Sequence, residues 1–317
     1  MDIEYLLALQ NLRSALPDWV SAVMTGASSQ AFIVVGFLAI CMVYWAVDRS
    51  AGKRIFFGVV LGIFANGLLK LIFCAYRPWV RDARVTPFAD SIKGATGYSF
   101  PSGHATYATT IFGGLGFWAW ARHRAMAIVC GAFVLLVVFS RNFLGVHTPQ
   151  DVIVGFLSSV LVMWVAYKVE DWTDRNPDRD KTVMIAGLVI CAIAAVFYLV
   201  KPYPLDYTAD GSLLVDPAKM IGDSFQGVGL VAAYVVCRYF ERRGFAFDEL
   251  LPKRTRAIIG GVAIIPLAGW VFLTLKVLKV VLGANLGYFI GFGGMVVYLL
   301  ILVPKAMELV YRKQQSK

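Results

Sequence analysis

The sequence predicts an all-α fold, a polytopic membrane helix bundle of about nine transmembrane helices, and three observations carry that prediction. Of its 317 residues, 59% are hydrophobic and only 16% charged, where a soluble domain is usually about 25% charged. The mean hydropathy is +0.68. Charge-poor apolar runs of about 20 residues, the length that crosses roughly 30 Å of hydrocarbon as a helix, recur from end to end.

In order, these runs fall near 29–47, 55–76, 103–121, 125–140, 151–167, 182–200, 221–238, 257–278 and 281–304. Several are short between charges, so the rims of those helices must snorkel or tilt. Ahead of the first, Tyr5, Leu9, Leu12 and Leu16 fall on one helical face before Pro17. That pattern suits a helix lying in the interface, or a short soluble arm. Asp2 and Glu4 stand where a signal peptide would carry basic residues, so no leader is read. Late in the chain, Gly287 and Gly291 have the spacing for close helix packing, and Pro266 is placed to kink the eighth span. The resulting division is 1–28 as an N-terminal interfacial segment, 29–200 as a transmembrane core and 201–317 as an additional three-helix transmembrane region. The loop 201–223 between the last two reads as a connector rather than a lid.

Nine crossings place the termini on opposite sides. With loops assigned alternately, one side collects nineteen of the thirty Lys and Arg residues, and the richer side is expected in the cytoplasm. The N-terminus is then outside and the C-terminus cytoplasmic. The net charge of +10 follows from this topology, so the bilayer is the partner it implies. Neither a nucleic acid nor a protein partner is called for. The five cysteines are odd in number and lack a CxxC spacing, which supports neither a disulfide framework nor a zinc site. A Gly-rich phosphate loop and a repeat of fixed period are both missing from the pattern.

Unusual polar residues gather at four places: Lys70 inside the second span; Arg77 before Pro78 at its end; PSGH at 101–104, opening the third; and SRNFLGVHTPQD at 140–151, joining the fourth and fifth. An up-and-down bundle brings all four to one membrane surface, the non-cytoplasmic one. Lys70 and Arg77 are seven apart, so they share a helical face, about 10 Å apart along the axis. An ammonium that deep is costly unless it meets an anion. Pro101 and Ser102 mark a helix start whose free N–H groups and dipole suit phosphate, with Gly103 allowing close approach and His104 one turn in. Alone, such a start is an ordinary turn.

Thr148, Pro149 and Asp151 read as a second helix start, with Thr148 as N-cap. His147 and Asp151 are also four apart, a spacing that lets the carboxylate fix the imidazole tautomer. The two roles are compatible, and a carboxylate-oriented histidine serves as nucleophile or as base. Of three histidines, only His123, in the ARHR loop, lies on the opposite side, where solvation explains it. Lys70, Arg77 and Arg141 with the helix start already supply the field that phosphoryl transfer needs, so neither metal nor cofactor is expected.

These residues resemble the type 2 phosphatidic acid phosphatase (PAP2) superfamily, which includes vanadium haloperoxidases and glucose-6-phosphatase. KLIFCAYRP at 70–78 is similar to its K-x6-R-P motif, PSGH at 101–104 to its second, and SRNFLGVHTPQD at 140–151 to S-R-x5-H-x3-D. The resemblance spans roughly 30–200 and implies a six-helix core. It further implies that His147 attacks phosphorus to form a phosphohistidine, that Asp151 orients it, and that His104 protonates the leaving group and then activates water. Lys70, Arg77, Arg141, Ser102 and the Gly103 amide would hold the phosphate oxygens.

The expected function is therefore an integral membrane phosphatase releasing inorganic phosphate from an amphipathic lipid phosphate or prenyl diphosphate at the extracytoplasmic face. Hydrolysis of a soluble sugar phosphate and phosphoryl transfer to another acceptor use the same residues. An anion transporter would spread its charges toward the midplane instead.

Overall fold

The computed structural model describes residues 2–92, 94–244 and 250–316. Lys93 and Lys317, both entered in the charge count, lie outside the described residues. Among the described residues every regular element is helical, with one isolated bridge between Tyr207 and Leu213. The fold is an all-α polytopic bundle. Eight helices among the described residues are long and apolar enough to cross a membrane.

The difference from nine lies at 103–121. That run is a chain of three pieces, Gly103–Ala108, a π-helical turn Thr109–Gly113 and Gly114–Ala119. Thr106, Thr109 and Thr110 are buried in protein. Running only from Gly103 to Ala119, the stretch is short for a full crossing, and the hydroxyls it turns into the protein lower its hydropathy further. At the N-terminus, Asp2–Ala15 turns Leu6 and Leu9 inward and leaves Tyr5, Leu12 and Leu16 exposed. The first apolar stretch begins earlier than its hydropathy suggests, with Asp18–Ala27 preceding Gln30–Met42 across a break at Ser28 and Ser29.

Packing divides the chain into two compact units that do not follow its linear order. One gathers Met1–Gly36, Ala65–Met163 and Pro202–Met220, and the other Phe37–Phe64, Trp164–Lys201 and Ile221–Lys317. In the second unit, Gly287 and Gly291 meet the Thr274–Lys279 stretch so closely that a Cβ at either would collide with it.

The second unit also holds a buried ionic network that hydropathy places in loops. The apolar pattern stops two helices at 167 and 238, whereas they continue to Arg175 and Gly244. Arg238 Nε donates to Glu170 at 2.6 Å and its Nη1 to Asp180 at 2.9 Å. Arg49 Nε donates to Glu241 at 2.7 Å, and Lys53 Nζ lies 3.4 Å from the other oxygen of the same carboxylate. Glu170, Arg238 and Glu241 are each 1% exposed. Removing one partner of such a set leaves charge buried without compensation, at about 3–5 kcal/mol. Glu241→Ala is thus expected to lower the unfolding temperature in detergent far more than Glu308→Ala, whose pairs with Lys305 and Arg312 are partly exposed and weak. Equal shifts for the two variants would refute the argument.

Candidate active site

All eight residues singled out in the sequence lie in the first unit. The helix Arg49–Phe73 ends one turn after Lys70. Cys74 follows with φ of +48°, and Arg77 is extended, with φ −65° and ψ 153°. Lys70 and Arg77 therefore do not share a helical face. Proline bars the residue before it from the α region, so Arg77 leaves the helix by necessity. The two cations converge by another route, because both hold the strip of chain that leads into PSGH. Lys70 Nζ donates to Tyr98 O at 2.6 Å and contacts Ser99 O at 3.5 Å, and Arg77 Nε donates to Gly97 O at 2.9 Å.

Ser102 is the N-cap of the Gly103–Ala108 helix, its hydroxyl accepting from Ala105 N. Its own N–H donates to Asp151 O at 2.8 Å, which ties the helix start carrying His104 directly to the helix start carrying Asp151. One turn beyond Asp151, a Cβ at Gly155 would stand 2.8 Å from Ser102 O, so only glycine lets the two starts meet. Asn66 Nδ2 braces the turn from below, donating to Pro101 O and Thr106 Oγ1 at 3.3 and 3.1 Å. A Cβ added at Gly103 would stand in ordinary contact with Asn66 Oδ1 at 3.7 Å and Tyr107 Cε2 at 3.8 Å.

Arg141 lies in the last turn of Arg124–Phe143. Its Nη1 donates to Ser28 Oγ at 2.7 Å, while its Nε is buried with no protein acceptor. A guanidinium donor held dry and unmatched is suited to an arriving oxyanion. The charges of Arg141, Arg77 and Lys70 all act on half-buried His104.

His147 is 2% exposed. Its Nε2 lies 2.9 Å from Arg77 Nη1, and its Nδ1 lies 3.3 Å from Asp151 Oδ2. A guanidinium can only donate, so Nε2 is the acceptor and Nδ1 carries the hydrogen toward Asp151. The Asp151 carboxylate also accepts from Ser99 Oγ at 2.5 Å and Thr148 N at 2.8 Å, while Thr148 Oγ1 accepts from Asp151 N at 3.3 Å. That reciprocal pair is a capping box, so Asp151 closes the helix start and orients the histidine with one oxygen. Burial, and then the Arg77 charge, hold His147 well below the usual imidazole range. The ring is held neutral, with its lone pair on Nε2, facing Arg77.

Several positioning residues have no signal in the sequence. Ser99 is two residues before the PSGH motif, and Asn142 Nδ2, which grips His147 O at 2.8 Å, occupies a variable place in the third. Asn66 is one turn from Lys70, a spacing that does not by itself mark it, since its partners Pro101 and Thr106 lie far along the chain. Arg13 donates to Phe143 O at 2.8 Å and Thr86 O at 2.5 Å, bringing the N-terminal helix into the support of this loop.

Residues 51–175 match the model of the PAP2 superfamily. The undecaprenyl-diphosphatase BcrC of Bacillus subtilis is 26% identical over 163 residues, 50% of this chain and 79% of that protein. Phosphatidylglycerophosphatase B of Bacillus subtilis is 25% identical over 154 residues, 46% of this chain and 73% of that protein. Sphingosine-1-phosphate phosphatase 1 of Mus musculus is 25% identical over 227 residues, 68% of this chain and 49% of that protein. No solved structure matches the chain.

Proposed function

Residues 51–175 make this chain a PAP2-superfamily membrane phosphatase, and from that premise we propose that it hydrolyses a lipid phosphate or prenyl diphosphate through a phosphohistidine on His147. The observation that carries the reading is the doubly fixed imidazole: Nδ1 toward Asp151, Nε2 toward Arg77. A neutral ring with a directed lone pair inside a cationic pocket is a nucleophile awaiting a phosphoryl group.

In the first half-reaction Nε2 bonds to phosphorus as the ester or anhydride oxygen departs, and His104 gives that oxygen its proton. In the second, His104 takes a proton from water, the water oxygen bonds to phosphorus, and the N–P bond breaks to release inorganic phosphate and neutral His147. Lys70, Arg77, Arg141, Ser102 and the Gly103 N–H hold the non-bridging oxygens, with Arg77 Nη1 passing from Nε2 to a phosphate oxygen as substrate enters. The relatives' names, for prenyl, glycerophospholipid and sphingoid phosphates, support a lipid substrate. The bias of nineteen of thirty basic residues toward one side supports an extracytoplasmic site.

The test is phosphate release by the purified, reconstituted chain from undecaprenyl diphosphate, phosphatidylglycerol phosphate, phosphatidate, sphingosine 1-phosphate and glucose 6-phosphate. At least one lipid should be turned over well ahead of the sugar, with inhibition by vanadate and no loss on adding EDTA. Turnover of the sugar phosphate alone would overturn the lipid assignment. Loss of substrate without free phosphate would replace hydrolysis with transfer.

A further inference from the structure

The N-terminal helix Asp2–Ala15 lies ahead of residues 51–175, which carry the family match, yet one of its side chains joins two stretches of the active site. Arg13 spreads its guanidinium between two carbonyls, Nη1 donating to Phe143 O at 2.8 Å and Nη2 to Thr86 O at 2.5 Å. Phe143 ends the helix that carries Arg141 and Asn142, and the final carbonyls of a helix have no donor within it. Gln10, three residues earlier, repeats the grip on one of the two stretches, accepting from Thr86 N at 2.7 Å and donating to Arg84 O at 3.3 Å.

The two stretches also touch each other. Phe88 N donates to Leu144 O at 3.0 Å, and Gly145 turns at φ +72° where a Cβ would stand 3.3 Å from Pro87 Cα and 3.5 Å from Arg13 Nη1. Phe143, Leu144 and Val146 form a buried cluster with Ala95, against which Trp79 and Phe88 pack. From this cluster the chain runs directly to the reacting groups. Val146 O accepts from Arg77 Nη1 at 2.9 Å, the same nitrogen lies 2.9 Å from His147 Nε2, and Asn142 Nδ2 holds His147 O at 2.8 Å.

We infer that Arg13 is a positioning residue for the nucleophile: by pinning the stretch that follows Arg77 to the one that precedes His147, it sets the contact between that guanidinium and the imidazole lone pair. The inference rests on the reading of His147 as nucleophile. Arg13 acts through the backbone, its own bonds ending on two carbonyls. Without it the two stretches shift against each other, and a misplacement of about 1 Å far from the chemistry can cost about a hundredfold in rate.

The experiment compares wild type, Arg13→Ala and Arg84→Ala as full chains in detergent, on whichever of undecaprenyl diphosphate, phosphatidylglycerol phosphate, phosphatidate and sphingosine 1-phosphate the wild type hydrolyses fastest. Arg84 also ties the N-terminal helix to this loop, but through an exposed ion pair with Glu4, which is weak. Arg84→Ala should therefore keep wild-type kinetics. Arg13→Ala should keep KM and lower kcat by about tenfold to a hundredfold. Its acid limb should move as well. The charged groups facing His147 are Arg77, Arg141 and Asp151. With Arg77 no longer held against Nε2, the positive charge that opposes protonation recedes, so the ring takes up its proton at higher pH and the acid limb of kcat/KM climbs toward about 6.5. A loss of kcat without that climb marks Arg13 as a structural support only and overturns the inference, as do wild-type kinetics in a folded Arg13→Ala; both leave the phosphatase reading standing. If Arg13→Ala does not fold, Arg13→Lys decides by the same two readouts, because lysine keeps the charge without the two-pronged donor. A wild type that releases phosphate from none of the four lipids sinks the phosphatase reading, and this inference with it.

Discussion

His147→Ala is expected to yield a folded protein that releases no phosphate from any substrate the wild type hydrolyses. Removing a covalent nucleophile costs on the order of 10⁶ in turnover in a hydrolase dissected residue by residue, because the remaining cations still bind the ground state but nothing bonds to phosphorus. The fold should survive. The ring's contacts are to Arg77, Asp151 and Ser99, and without it Arg77 and Asp151 retain partners of their own in Val146 O, Gly97 O and Thr148 N. Two measurements separate this from a general loss: an unchanged unfolding temperature, and an acid-labile phosphoryl adduct trapped on the wild type but missing from the variant. Residual hydrolysis within a hundredfold of wild type would exclude His147 as nucleophile.

The same residue fixes the acid side of the pH profile. A histidine with an ordinary pKa of about 6.5 would lose its lone pair to a proton as pH falls through that value. Burial and Arg77 depress the His147 pKa, so the free enzyme keeps a neutral ring to lower pH. The acid limb of kcat/KM, once the substrate's own ionisation is subtracted, should lie below 6.5. A limb at or above that value would contradict the environment described.

Asp151→Asn should also cost heavily in rate while costing little in stability. Thr148 N, Ser99 Oγ and His147 Nδ1 all share Asp151 Oδ2, so an amide oxygen in that place keeps the capping box closed, and the helix start should lose no more than about 1 kcal/mol. What the variant loses is the negative charge beside the ring, which holds the Nδ1 hydrogen through a charge-assisted bond and offsets the positive charge the imidazole takes on as Nε2 bonds to phosphorus. The same substitution in a Ser-His-Asp enzyme lowers turnover by about 10⁴. Rate and unfolding temperature measured together distinguish the roles: a large fall in rate with a small shift in melting supports orientation, and retention of a tenth of the wild-type rate rules it out.

Much of this site was legible because its parts sit at helix ends, and helix ends are written locally. Thr148, Pro149 and Asp151 spell a capping box within four residues, and Ser102 announces a cap beside Gly103. The geometry between Lys70 and Arg77 was misread because a helical face was extended through a residue that Pro78 forces out of the helix. Ser99, Asn66 and Gly155 were invisible for a different reason. Ser99 reaches Asp151 across 52 residues and Asn66 reaches Pro101 across 35, and no periodicity encodes a meeting of that range.

The ionic network of Glu170, Arg238 and Glu241 was hidden by the sorting of basic residues to one side without matching them to the acids within a turn of the end of each apolar run. The interleaving of the two units has no linear signature at all, since each is assembled from three separated stretches.

The hydrogen bond from Arg77 to His147 Nε2 has a bearing on chemical selectivity. In the resting protein the imidazole lone pair is capped by a guanidinium, so an uncharged electrophile such as a carboxylic ester finds the nitrogen already engaged. An oxyanion carries the means of uncovering it, drawing the guanidinium away by its own negative charge. Under the proposed mechanism, esters of phosphoric acid are sorted from neutral lipids before any bond is made, by which of them can unlock the nucleophile.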